Sequence, residues 1–259
     1  MPVIATPVGN RYDHVSYLVS CPATGEATAI DPFHLDLVLD TARANGLAIT
    51  QIVNTHEHWD HAGRNDRLRA ETGARVLAPK AAAGVIEHVD AMLVEGSEIA
   101  VGERHRLRVL ETPGHTMTHV SLLGEDEGVP FLLCGDTLFG AGVGNCGYGG
   151  HVGTLFATVD RLAAQLAPET LLYPGHDYLA RNLEFTLSVE PGNARAQALL
   201  EPARARTLFT TIADEREISL FFRLDAETVR RGLHESAGLE PGAFREEVFA
   251  ALRAMRDRW

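Results

Sequence analysis

The sequence predicts an α/β protein: a β-sandwich covered by helices, followed by a helical C-terminal part. Three observations predict it. Short β-branched and apolar runs, bounded by glycine or proline, recur between residues 14 and 173. Amphipathic helical patterns interrupt them at residues 35–44 and 154–166. Beyond His176 the pattern turns helical, which sets a boundary there and divides the chain into residues 1–176 and 177–259.

Residues 11–31 read as two strands around a turn at Pro22 to Gly25, and the pair Asp31-Pro32 stops the second. Residues 35–44 place Leu35, Val38 and Leu39 on one helical face, with Gly46 as the stop. Residues 49–55 form a buried strand, residues 62–71 a helix, and residues 74–78 a strand closed by Pro79. The alanine-rich segment 80–88 is expected to be a short helix. Strands resume between residues 97 and 123; within them, residues 106–112 alternate polar and apolar, as a half-wet strand does. The apolar run 129–134 ends at Gly135-Asp136, and residues 140–153 hold seven glycines in 14 positions. Such a loop suggests close approach of backbone to something. His151 at its end is read as facing substrate or capping the next helix. After the short strand 170–173, helices are expected at 178–189, 194–208 and 241–256, with the segment around Asp214 as a separator.

At 259 residues the chain can bury a sizeable core. Its 23 basic and 35 acidic residues give a net charge of −12, which argues against a nucleic-acid partner. No apolar run approaches the ~20 residues that span a bilayer, so no membrane is expected. Residues 1–7 lack a basic start and a long apolar stretch, so no secretory signal is expected. Cys21, Cys134 and Cys146 show no CxxC spacing, which fits a reducing cytoplasm.

The chemistry concentrates in the stretch Asn54-Thr55-His56-Glu57-His58-Trp59-Asp60-His61. Three histidines and two carboxylates within six positions make a divalent-metal composition. Glu57 would point away from its neighbours on an extended segment and is not expected to ligate. His115 follows Pro113-Gly114, Asp136 follows Gly135, and His176 follows Pro174-Gly175. All seven donors, His56, His58, Asp60, His61, His115, Asp136 and His176, fall at strand ends, as for a site along one rim of a sandwich. A catalytic zinc takes about three protein ligands, so the set is too large for one metal and suits two sharing Asp136. Zinc is expected, with iron and manganese also compatible. A metal-activated water makes hydrolysis the expected reaction. His14, His34, His88, His105, His119 and His234 are read as structural or surface residues, and Cys134 as core.

This donor pattern resembles the metallo-β-lactamase superfamily. Residues 135–142, 173–178, 182–185 and 189–193 are similar to those of the glyoxalase II group, the hydroxyacylglutathione hydrolases. The resemblance runs over nearly the whole chain. It implies a four-layer αββα sandwich and a smaller C-terminal helical domain that binds substrate. It implies His56, His58 and His115 on one metal, Asp60, His61 and His176 on the other, and Asp136 bridging. It implies a thioester hydrolase that cleaves S-2-hydroxyacylglutathione, such as S-lactoylglutathione, by attack of a bridging hydroxide, with Asp60 also catalytic. For the thiol carrier it implies Tyr178 and Arg256. The loop residues Asn145, Cys146 and Tyr148 stand where the family has a cation followed by aromatics, and Trp259 stands where a second C-terminal cation is expected. The partner is then a small-molecule thioester; oligomeric state is not fixed by these residues. The alternatives are a mononuclear-iron persulfide dioxygenase and a lactonase or esterase on the same scaffold.

Overall fold

A computed structural model of the chain describes residues 2–7, 14–103 and 105–259. Two sheets face each other. The first has six strands in sequential order: β1 (Val3–Pro7), β2 (Val15–Cys21), β3 (Glu26–Ile30), β4 (Ala48–Val53), β5 (Arg75–Pro79) and β6 (Ala91–Leu93). Its first three strands are antiparallel, and β3 to β6 run parallel. The second sheet is built from β7 (Glu98–Val101), β8 (His105–Glu111), β9 (Val120–Asp126), β10 (Val129–Gly135) and β13 (Leu171–Pro174), in the order β13-β10-β9-β8-β7. A small hairpin, β11 (Leu138–Phe139) and β12 (Gly142–Val143), lies between β10 and the next helix.

The inner faces interlock through Tyr17, Val19, Val53, Leu107, Leu122 and Phe131. Outside the first sheet, α1 (Leu35–Ala44) and α3 (Asn65–Thr72) cover Leu18, Ile52 and Val76. In α1 the buried positions are Leu35, Val38, Leu39 and Ala42, the spacing of one helical stripe. Outside the second sheet lies α4 (Val152–Gln165), joined there by the C-terminal helices. These are α5 (Leu179–Val189), α6 (Ala194–Ala205), α7 (Ile212–Ile218), α8 (Glu227–Ala237) and α9 (Arg245–Arg258). The layers are therefore helix, sheet, sheet, helix, with a helical C-terminal region.

Several sequence expectations need correction. Residues 11–13 of the first expected strand lie outside the described residues. The span 62–71 is split: α2 (Trp59–Ala62) ends at Gly63, and α3 begins at Asn65. The alanine-rich 80–88 contains only a 3₁₀ turn, Lys80–Ala82. Gly84 sits at φ +83°, a conformation that breaks a helix whatever the alanine content. Residues 140–153 are not wholly loop, because the hairpin runs through their start. The segment around Asp214 is not a separator. It opens α7, where Thr211 and Asp214 form a capping box. Helix α8, ended by Gly238 in the left-handed region, was not expected at all.

The C-terminal helices also hold the hairpin. Glu215 of α7 is fully buried and accepts the Ala141 N–H with both oxygens at 3.0 Å. The Thr210 hydroxyl donates to the same carboxyl at 2.7 Å. Burial pushes Glu215 up to about 8, against the lowering pull of these hydrogen bonds. Asn182 of α5 donates to the Gly140 carbonyl at 2.9 Å.

Candidate metal centre

The ends of β4, β10 and β13 meet on one rim. Backbone bonds tie them: Val120 N–H to Thr55 O at 2.9 Å, Gly175 N–H to Gly135 O at 2.8 Å, and Val15 N–H to Gly175 O at 2.9 Å. The chain after β4 turns sharply because the Asn54 side-chain amide donates to His61 O at 2.8 Å. Asn65 in turn donates to Asn54 Oδ1 at 2.7 Å, which locks the turn.

This frame brings all seven expected donors together. His56, His58 and His115 form one triad, and Asp60, His61 and His176 another; within each, the ligand atoms lie within 4.8 Å of one another. His58 Nδ1 is 3.1 Å from both His56 Nε2 and His115 Nε2. Asp136 stands between the triads. Its Oδ1 is 3.4 Å from His61 Nε2, and its Oδ2 is 3.3 Å from His115 Nε2 and 3.5 Å from His176 Nε2. Asp60 Oδ2 is 3.5 Å from His176 Nε2. Glu57 turns aside, as expected, and accepts from the hydroxyls of Thr116 (3.0 Å) and Thr118.

The donor set fits divalent cations. His61 Nε2 and Asp136 Oδ1 are buried and have no hydrogen-bond partner among the described residues, an arrangement that is costly unless a cation satisfies them. The outward nitrogens, by contrast, are held. His61 Nδ1 lies 2.9 Å from Asp31 Oδ2, and His56 Nδ1 lies 3.0 Å from Thr55 Oγ1, whose own proton goes to Asp31 Oδ2 at 2.7 Å. One carboxylate thus orients a histidine of each triad, with the tautomers assigned from these partners. His115 Nδ1 donates to Asn145 O at 2.7 Å, and His58 Nε2 donates to Tyr148 O at 3.0 Å. His119, read as structural, accepts the Asp136 N–H at 3.0 Å through Nε2. His14 is a buried wall, edge-on to His61 and His176. His151 caps α4 by accepting Thr154 N–H.

Glycines set how close the backbone comes. A Cβ on Gly175 would lie 2.4 Å from Asp136 Oδ1 and 2.7 Å from His61 Cε1. One on Gly144 would lie 2.1 Å from Asp136 O and 2.9 Å from His115. The glycine-rich loop therefore presses on the centre itself. The electrostatics agree. Burial pushes His56 and His115 below the usual imidazole range, which leaves neutral nitrogens as donors. Burial also opposes charge on His61, yet Asp136 and Asp31 lift it to about 9. Burial likewise disfavours the Asp136 carboxylate, but His176 and His61 hold it well below the usual range. Asp136 and Asp31 thus supply negative charge that a cation at this rim would offset.

A cleft of about 340 Å³ opens over the cluster, lined by Asp60, His115, His176 and Tyr178 among others. Beside it lies a cavity of about 570 Å³ that holds Arg181, Arg253 and Arg256. Phe139, Asn145, Tyr148 and Tyr178 line both. Tyr178 stacks on His176 with ring centroids 5.1 Å apart and packs edge-on to Phe139. Burial, and then the neighbouring Arg181 and Arg253, push Arg256 down to about 10. One expectation fails here: Cys146 lines neither cavity and is half-buried against the apolar cluster under α4 and α9. Trp259, where the resemblance implies a second C-terminal cation, lines neither cavity. It packs on Phe185 and on the Arg256 guanidinium, and Arg253 is the second C-terminal cation. Arg181 and Asp31 were not singled out from the sequence. A lone arginine on a helix and an aspartate before proline carry no signal of the site they face.

Comparison with known proteins agrees with this geometry. The metallo-beta-lactamase superfamily profile matches residues 14–176, and the hydroxyacylglutathione hydrolase C-terminus profile matches residues 177–259. A hydroxyacylglutathione hydrolase of Polaromonas sp. strain JS666 is 46% identical over 258 residues, covering 97% of each chain. One of Nitrosococcus oceani is 44% identical over 255 residues, covering 96% of this chain and 97% of that one. Among solved structures, ETHE1 from Myxococcus xanthus superposes with a TM-score of 0.69 at 27% identity, covering 99% of this chain and 98% of the other. TTHA1623, solved in a di-iron-bound form, gives a TM-score of 0.58 at 25% identity, covering 82% of this chain and 98% of the other. The chain belongs to the metallo-beta-lactamase superfamily and, within it, to the hydroxyacylglutathione hydrolases, which makes it a metal-dependent hydrolase.

Proposed function

We propose that this chain hydrolyses S-2-hydroxyacyl thioesters of glutathione, such as S-lactoylglutathione, at a pair of divalent cations. The observation that carries the reading is the pair of adjoining cavities, which share Phe139, Asn145, Tyr148 and Tyr178 and set the His/Asp cluster beside a patch of arginines. A thioester whose thiol half carries carboxylates could lay its carbonyl over the cluster and its anionic end against Arg181 and Arg256. In this reading residues 1–176 are the metal-binding catalytic unit and residues 177–259 the helical substrate-binding unit. The names of the relatives and the match over residues 177–259 support glutathione as the carrier.

His56, His58 and His115 would hold one cation, Asp60, His61 and His176 the second, and Asp136 would serve both. Zinc is our assignment; the donors also accept iron, and the relative TTHA1623 has been seen with two irons. Bound cations supply a water that is acidic enough to be a nucleophile near pH 7, and they polarise the carbonyl. Asp60 faces the cleft, where its carboxylate can accept a hydrogen bond from that water and aim it. Tyr178 forms the wall between the carbonyl and the carrier end. The leaving thiolate has a conjugate acid with a pKa near ~8.5, so no protein acid is required. The three cysteines are free thiols, in keeping with a cytoplasmic setting.

The test compares hydrolysis rates for thioesters of glutathione, coenzyme A and cysteine, with metal content and oxygen uptake measured on the same sample. The expected result is two metals per chain, preference for glutathione thioesters and loss of turnover on chelation. Oxygen consumption with glutathione persulfide, without thioester cleavage, would overturn the reading in favour of a mononuclear-iron dioxygenase.

A further inference from the structure

Arg253 lies in the last helix, far in sequence from every candidate ligand, and its side chain is almost wholly buried. Its Nη1 donates to Val143 O at 2.8 Å and to Gly144 O at 3.3 Å. Its Nε and Nη2 are engaged by Asp257 Oδ1 at 3.0 and 2.9 Å. The guanidinium plane also lies over the Phe221 ring, 5.8 Å from its centroid. Four of its five N–H groups are thus committed to the protein, and one Nη2–H is left for the cavity that Arg253 lines. Arg181 and Arg256 are better placed for an incoming anion.

What Arg253 grips is the start of the loop that orients the first triad. Asn145 follows Gly144 directly and takes the His115 Nδ1–H; Tyr148, three residues on, takes the His58 Nε2–H. Gly144 itself packs on Asp136 O and His115 with no room for a Cβ, so the loop cannot drift inward, and Arg253 stops it from drifting outward. We propose that Arg253 is a positioning residue for the His56/His58/His115 cation site, acting through the carbonyls of the 144–148 loop, so that the last helix is part of the metal centre. The proposal rests on the two-cation reading above. Outer partners of ligating histidines commonly change metal affinity by about 10–100-fold when lost.

The test is Co²⁺ titration of metal-free protein, followed by visible d–d absorption, for wild type, Arg253→Gln, Arg253→Lys and Arg181→Gln. Arg253→Gln is expected to weaken one Co²⁺ equivalent by about tenfold or more and to alter that site's spectrum, with the other equivalent unchanged. Arg253→Lys keeps the charge but has one nitrogen where Arg253 uses Nη1 for the carbonyls and Nε and Nη2 for Asp257, so it cannot keep both partners and should show the same selective weakening. It carries the test if the Gln variant does not fold. Arg181→Gln should raise KM and leave Co²⁺ binding as in wild type. Wild-type affinities and spectra in a folded Arg253 variant, with only KM raised, would overturn the proposal and leave Arg253 as a cleft cation. Wild-type protein that takes up fewer than two equivalents would sink the two-cation reading itself, and the proposal with it.

Discussion

Asp31→Asn should selectively weaken the cation held by Asp60, His61 and His176. Asp31 takes three hydrogen bonds: Thr55 N–H at 2.8 Å on Oδ1, and Thr55 O–H at 2.7 Å and His61 Nδ1–H at 2.9 Å on Oδ2. An amide of the same shape cannot accept all three. With its NH₂ toward His61, the imidazole must become an acceptor at Nδ1, which moves its proton to Nε2, the nitrogen that faces Asp136. With its NH₂ toward Thr55, a buried backbone N–H loses its partner, at a cost of about 1–3 kcal/mol. Binding a cation at His61 Nε2 therefore requires the second orientation and its cost, and a 10–100-fold loss, or roughly 1.4–2.8 kcal/mol, is expected. Competition titration of the metal-free protein against a chelator measures this directly. One equivalent should weaken by that factor while the other shifts only a few-fold. Two equivalents bound with wild-type affinity in a folded variant would refute the argument that Asp31 governs the His61 tautomer.

Further outcomes follow from the same geometry. Asp60→Ala should lower metal occupancy and thioester hydrolysis together; unchanged turnover with full metal content would remove Asp60 from the site. Arg256→Ala should raise KM for an anionic thiol carrier about tenfold at low salt and less at high salt, read from steady-state kinetics at two ionic strengths. Glu215 keeps its proton in the folded protein up to about 8, against an ordinary value of 4.5. Between those values the unfolded chain holds fewer protons than the folded one, so Glu215 contributes a loss of stability as pH rises. Glu215→Gln should flatten that part of the slope in thermal melts from pH 5 to 8.

The metal centre was legible because its chemistry is crowded along the chain. His56 to His61 sit within six positions, and His115, Asp136 and His176 are each announced by glycine or proline at a strand end. The supporting residues were not legible. Asp31 looks like a strand stop before Pro32, and its partners lie 24 and 30 positions away. Arg181 and Arg253 sit on helices, and only packing decides which face of a helix meets the cleft. Cys146 departs from expectation for the same reason: the resemblance places it in the carrier loop, but the register of this loop turns the thiol toward α4 and α9. Among the elements, α1 was readable from its stripe, whereas α8 buries only Val229 and Leu233 and offered too little periodicity. Residues 80–88 had the composition of a helix, but Gly84 takes a left-handed φ of +83° that interrupts one.

The seven donors come from both sheets: His56 to His61 follow β4 of the first, and His115, Asp136 and His176 follow β8, β10 and β13 of the second. Cations seated there would rivet the two halves of the sandwich at one edge. Binding them would stabilise the fold as well as complete the site, so the loaded protein should melt above the metal-free one.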